Sequence, residues 1–368
     1  VAELLATSPF DYVCIDLQHG VPTFSELPHL LQAMRAAGRA PVVRVPVNEP
    51  ATIMRALDVG ASAVLVPMVN TADDARRAVA ACRFPPEGER SWGPMWHKER
   101  GSFFWVDIDG KAFYEYNFLT GDVKKRQLNH RVSLVTKYKH FNDRLLLAVQ
   151  GGLALYDLTT ETFTWHADIE KEILMHRTND GAVDCNGNLW VGTMHRQFVQ
   201  GAGALYRIDQ QLNVEKKLEG VTISNGLVWN YDHTKMYFID TPLHTVRSFL
   251  FDSATGALQF EKNAVEIDKA TGSPDGMCID EEGMLWVAQW NGFGVYRYNP
   301  GTGQLLGKIS VPVPQVSACA FGGPELDTMI ITTAQENFSE EDKIKYPLSG
   351  GLFMAKPGVR GFDPERFK

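Results

Sequence analysis

Between residues 103 and 334 one short apolar strand recurs six times: FFWVDI (103–108), LLLAVQ (145–150), LWVGTM (189–194), MYFIDT (236–241), LWVAQW (285–290) and MIITTA (329–334). Their starts lie 42, 44, 47, 49 and 44 residues apart. A unit of this length cannot bury its apolar face alone, so neighbouring repeats must stack, and a repeat of roughly 40–50 residues carrying several strands marks a β-propeller blade. Each strand is followed by a second, often opening on glycine (GGLALYDL, GALYRID, GFGVYRYN). A turn of the form D-x-x-G-x precedes two of them, DCNGN before Leu189 and DEEGM before Leu285. Asp-Gly and Asn-Gly at this density mark antiparallel hairpins. Six repeats predict six blades, whereas a long β-sandwich would leave the spacing unexplained.

The first 90 residues follow another period. FDYVCIDL (10–17), PVVRVPV (41–47) and SAVLVPMV (62–69) read as buried strands. Between them lie helical patterns: LPHLLQAMRAAG with Ser25 as N-cap, EPATIMRALDVGA with a stop at Gly60, and a third from Thr71 through DDARRAVAACR. Near-continuous apolar strands separated by helices predict βαβ units and a parallel sheet covered on both faces. FPPEGERSWGP (84–94) then breaks all periodicity and reads as a boundary.

Charge narrows the partners. The net charge of −8, from 36 Lys+Arg against 44 Asp+Glu, argues against nucleic acid or an anionic membrane surface. No apolar run reaches 18 residues, so a transmembrane helix is not expected. The five cysteines (Cys14, Cys82, Cys185, Cys278, Cys319) are scattered without a C-x-x-C and read as reduced thiols of a cytoplasmic protein.

Chemistry is expected where loops of different blades converge on the channel mouth. HRTNDGAVD (176–184) offers Arg177, Asn179 and Asp180, TISNGLVW (222–229) offers Asn225, and GSPDGMCID (272–280) offers Asp275. Asn-Gly and Asp-Gly are ordinary turns taken singly. Three in register on successive blades point to a shared site, and carboxylate with amide oxygens suits a hard divalent cation (Ca or Mg) or accepts Zn or Mn. His176, His195, His233 and His244 read as surface or packing residues, and Trp105, Trp190 and Trp286 as core.

From Gly93 to Lys368 the chain resembles the senescence-marker-protein/gluconolactonase/luciferin-regenerating-enzyme (regucalcin-like) family. The blocks that carry the likeness are GPMWHKERGSFFWVDIDG, RTNDGAVDCNGNLWVGTM, ISNGLVWNYDHTKMYFIDT, SPDGMCIDEEGMLWVAQW, CAFGGPELDTMIITTA and PLSGGLFMAKPGVRG. The resemblance implies a six-bladed propeller that binds one divalent cation and hydrolyses a small sugar lactone. It implies Asn225 and Asp275 as the second and third metal ligands, with Asp275 also the general base. Arg177 and Asn179 match the substrate-contacting pair, and Gln197 stands where the regucalcin branch has a sugar-contacting Glu. The family's first ligand, the Glu of L-G-E-G-P-x-W, is replaced by Trp92 in ERSWGPMW, and the nearest acid upstream is Glu89.

FDYVCIDLQHG, APVVRVPVNEP, IMRALDVGASAVLVPMV and RFPPEGERSWGP resemble class II 2-keto-3-deoxy-acid aldolases of the citrate lyase β-like family, an eight-fold β/α barrel. In that likeness His19 matches the catalytic His and Arg44 the pyruvate-carboxylate Arg. About 94 residues hold roughly three βα units, against some 250 for a complete barrel. The expectation is therefore a mainly β chain: a partial β/α, TIM-barrel-like segment over 1–92, then a six-bladed propeller lactonase over 93–368. A non-catalytic calcium-binding propeller and a remnant aldolase are the alternatives.

Overall fold

The computed structural model describes residues 13–24, 26–37, 41–49, 52–53, 56–57, 60–71 and 91–368. The chain divides into two compact units, Val1–Glu87 and Gly88–Lys368. Ser25, Cys82, Glu89 and, beyond Thr71, the helix expected through Arg83 lie outside the described residues.

In the first unit, β1 (Val13–Asp16), α1 (Leu27–Ala36), β2 (Pro41–Arg44) and β3 (Ala63–Leu65) follow one another. The strands pair in parallel in the order β1-β2-β3. Leu27, Leu31 and Met34, at helical spacing, pack with Ile15 and Val43 into this unit's own core. The described residues form a short parallel β/α segment, and three strands are too few to close a barrel.

The second unit is a six-bladed propeller. Five sheets hold four antiparallel strands each and the sixth holds three among the described residues. Every one of the six recurring apolar segments forms the second strand of a blade, buried between neighbouring sheets. The innermost strands are Ser91–His97, Val132–Tyr138, His176–Val183, Ser224–Trp229, Ser273–Ile279 and Val316–Gly322. Each packs on the next, and the sixth returns to the first, so the ring closes around a central channel. The stretch 84–94 was expected to be a break, but its described end, from Ser91, is already the innermost strand of the first blade.

The D-x-x-G-x turns have a specific construction. Asp184 Oδ1 accepts from the Asn186 and Asn188 amides at 3.0 and 2.9 Å, and its Oδ2 accepts from Trp190 Nε1 at 2.9 Å. Asp280 repeats this with the Glu282 and Met284 amides and Trp286 Nε1. The turn glycines, Gly187 and Gly283, have φ of 83° and 78°, a left-handed conformation that costs glycine least. One carboxylate thus fixes both the turn and the tryptophan that opens the next strand. Trp105, Trp190 and Trp286 are core residues, as expected.

The C-terminal residues form a strap across one end of the ring and touch every blade. Gly361 bridges Asp280 and its N–H donates to Leu326 O, while the Phe362 ring lies 5.8 Å from that of Tyr231. Asp363 pairs with Lys137 at 3.0 Å, Arg366 pairs with Glu99, and Phe367 is buried beside Tyr138. Lys368 N–H donates to Gly187 O at 3.1 Å. Among the described residues no helix is long and apolar enough to cross a membrane.

Candidate functional site

The segments expected to be mouth loops are strands. HRTNDGAV, SNGLVW and SPDGMCI form the innermost strands of blades three, four and five. Each pairing register slips at the same place: between Thr178 and Gly181, between Ser224 and Leu227, and between Pro274 and Met277. The slipped residues are Asn179–Asp180, Asn225–Gly226 and Asp275–Gly276. Bulges of this kind leave residues out of the ladder and re-aim their side chains. Here the amides of Asn179 and Asn225 meet between blades three and four, and Asp275 occupies the matching position of blade five.

Glycine ends the second and third bulged pairs, and follows the first, for a reason other than turn geometry. None of Gly181, Gly226 and Gly276 has a positive φ. A Cβ on Gly226 would lie 2.6 Å from Met277 Cβ, and one on Gly276 would lie 2.5 Å from Ala318 Cβ. At Gly226 and Gly276 glycine is required because adjacent innermost strands approach this closely at the channel, whereas a Cβ on Gly181 would meet Trp190 O of its own blade at 2.3 Å.

Three of the expected residues, Arg177, Asn179 and Asn225, are joined by hydrogen bonds, and Asp275 follows the carbonyl at which the chain of bonds ends. Arg177, Asn179, Asn225 and Asp275 are all at most 4% exposed. Arg177 Nη1 donates to Asn179 Oδ1 and, at 3.0 Å, to Thr178 O. Asn179 Nδ2 donates to Asn225 Oδ1 at 2.7 Å and to Ser224 O at 2.5 Å. Asn225 Nδ2 donates to Thr241 Oγ1 at 2.6 Å, and Thr241 in turn donates to Pro274 O at 2.8 Å, the carbonyl preceding Asp275. A chain of hydrogen bonds therefore runs from blade three to blade five and fixes which way each amide points.

Thr241 is the residue that sequence reasoning missed. It ends the MYFIDT segment, and only its contacts across two blades distinguish it from any strand-terminal threonine. Gln197 is exposed, beyond the strand paired with His176–Val183, and its backbone N–H donates to His195 Nδ1. It makes no hydrogen bond with the other four. Asp180, beside Asn179, accepts from the Gly181 amide at 2.7 Å, and burial pushes its carboxyl up to about 6.

Asn225 and Asp275 supply an amide and a carboxylate oxygen, hard donors suited to a divalent cation. Trp92 is at the same end of the first blade, pairing with Val106 just before its own register slip, and an indole offers no oxygen. Among the described residues no group of three His, Cys, Asp or Glu is gathered as a metal site. The donor set fits a hard ion in kind, with one anionic member.

Of the expected packing histidines, His176 is buried, with Nδ1 2.9 Å from Glu170 Oε2, and its ring meets that of His195 edge-on. In the first unit, Asp16 is the link between the two aldolase-like residues. Its Oδ2 lies 3.3 Å from Arg44 Nη1, and its Oδ1 accepts from the Gln18 and His19 amides.

Comparison with known proteins agrees with this architecture. Residues 91–335 match the SMP-30/Gluconolactonase/LRE-like region, and residues 1–156 match the HpcH/HpaI aldolase/citrate lyase family, although from residue 91 onwards that stretch is built as propeller strands. "Putative sugar lactone lactonase YvrE" of Bacillus subtilis is 34% identical over 75% of this chain and 94% of its own length. Regucalcin of Oryctolagus cuniculus is 32% identical over 77% and 96%. Among solved structures, the calcium-binding protein regucalcin of Agrobacterium tumefaciens superposes with a TM-score of 0.72 at 28% identity, covering 76% of this chain and 93% of that one. With the ring, the bulged strands and these relatives in agreement, the chain belongs to the SMP-30/gluconolactonase/LRE-like family.

Proposed function

We propose that the propeller hydrolyses a small sugar lactone with one divalent cation held by Asn225 and Asp275. The supporting observation is the hydrogen-bonded chain from Arg177 through Asn179, Asn225 and Thr241 to Pro274, which links three buried polar side chains and the part-buried Thr241 to the residue preceding Asp275. The lactonase name of the Bacillus relative supports the substrate class.

A bound cation supplies Lewis-acid polarisation of a carbonyl. Everything else falls to the chain's own residues. Arg177 and Asn179 orient the lactone, a positioning role that reduces the entropy cost of reaching the transition state. Asp275 accepts the proton of the attacking water and returns it to the ring oxygen as the acyl C–O bond breaks. Trp92 removes one anionic donor, so cation affinity and turnover are set low. The same observation favours a second reading, a propeller that binds the cation without catalysis.

Lactone hydrolysis followed by proton release, with and without EDTA and with Ca, Mg, Mn or Zn restored, separates the two readings. Asp275→Asn is expected to lower turnover by more than the roughly 10²–10⁴-fold of general-base loss. Activity within tenfold of the parent would remove Asp275 from the mechanism.

A further inference from the structure

Behind the bulges the channel widens into a cavity of about 440 Å³, within the range of small-molecule sites. Neither Asn225 nor Asp275 lines it. Tyr231, 79% exposed, lines its rim, so the cavity communicates with solvent at the strap end. Cys278 and Cys319 project from the innermost strands of blades five and six into the same space, and their Sγ atoms lie 3.5 Å apart. Cys319 Sγ also lies 3.4 Å from Trp286 O, which fixes its rotamer.

The separation chooses among the things two thiols can do. A disulfide needs the sulfurs about 2.05 Å apart, an approach of roughly 1.5 Å between strands already in close contact. A linear two-thiolate ion, with bonds of about 2.3 Å, needs the sulfurs about 4.6 Å apart. A pyramidal or tetrahedral centre, with an S–M–S angle of about 100–110°, needs about 3.5–3.8 Å. The third geometry matches without movement.

We propose that Cys278 and Cys319 form a chelating dithiol site for a soft, thiophilic centre of angular coordination, best satisfied by a monosubstituted trivalent arsenical that needs only two sulfurs. The exchange is R–As(OH)₂ plus two thiols giving R–As(SR)₂ plus two waters. Two As–O and two S–H bonds break, two As–S and two O–H bonds form, and no oxidation state changes. The apolar walls, Met277, Ala318 and Phe321 among them, receive the substituent. Burial holds the Cys278 thiol protonated well above its ordinary range, so the leaving hydroxides take up the thiol protons.

The test is intact-mass measurement of the folded full-length chain after incubation with phenylarsine oxide. One phenylarsenic per chain is expected, removed by a small 1,2-dithiol. It should be lost in Cys278→Ser and in Cys319→Ser and kept in Cys14→Ser and Cys185→Ser, with circular dichroism confirming that each variant is folded. Should a serine variant not fold, Cys278→Ala and Cys319→Ala replace it. An adduct that survives either change, or a folded parent chain that takes none, overturns the proposal. A parent chain two mass units light and inert to the reagent also overturns it, by showing a disulfide. Hydrolytic activity does not enter the readout, so the lactonase reading stands or falls separately.

Discussion

At the scale of single residues, two side chains have consequences that can be measured. Trp92 stands where the resembling family carries a carboxylate, and hard cations depend on ligand charge and number. Trp92→Glu is expected to raise divalent-cation affinity and lactone turnover together; calorimetric titration and a rate assay unchanged by it would show that the first ligand is elsewhere. His97 is fully buried, with Nδ1 3.3 Å from Glu99, and desolvation outweighs that carboxylate, lowering its pKa from 6.5 to about 4. Between those two values only the unfolded chain takes up the proton, so stability is present above about pH 6.5 and is lost as pH falls towards 4. The difference corresponds to roughly 3 kcal/mol at most. Urea unfolding of His97→Gln at several pH values should show a flatter acid limb than the parent, and an identical slope would rule His97 out as a source of acid lability.

At the scale of the strand, the recurring bulge joins folding to function. Taking two residues out of each ladder lets Asn179 and Asn225 hydrogen-bond between blades, and Gly226 and Gly276 let the next blade come close. Gly276→Ala would put a methyl 2.5 Å from Ala318 Cβ and 2.9 Å from Ala318 Cα. Overpacking of this kind costs about 1–3 kcal/mol. Adding Ala318→Gly should restore part of that loss, a coupling that a double-mutant cycle in urea measures directly. Strictly additive effects would show that the blades adjust independently at this point.

At the scale of the whole molecule, the ring is fastened by more than the packing of its sixth blade on its first. The strap Gly361–Lys368 contacts all six blades and buries Phe367 beside Tyr138. Phe367→Ala should cost about 3–5 kcal/mol, as for other buried aromatic truncations. A chain ended after Arg360 should unfold at lower temperature still. A calorimetric midpoint unmoved by the truncation would show that the blades hold without the strap.

The sequence by itself determined the blade count, because six apolar strands at a near-constant interval permit stacking in a ring and little else. It also pointed to Asn225 and Asp275, because polar pairs in register on successive repeats must share an end of that ring. It could not tell a glycine needed for a turn from one needed for space. Both read as Asn-Gly or Asp-Gly, and the difference lies in what the next blade places against the missing Cβ. Nor could it show that Thr241 ties Asn225 to Pro274 of the next blade, that eight C-terminal residues tie the blades together, or that Cys278 and Cys319, 41 residues apart, meet at the wall of a cavity. Those contacts join different blades. Local periodicity describes each blade alone, and only closure of the ring brings one blade's side chains against another's.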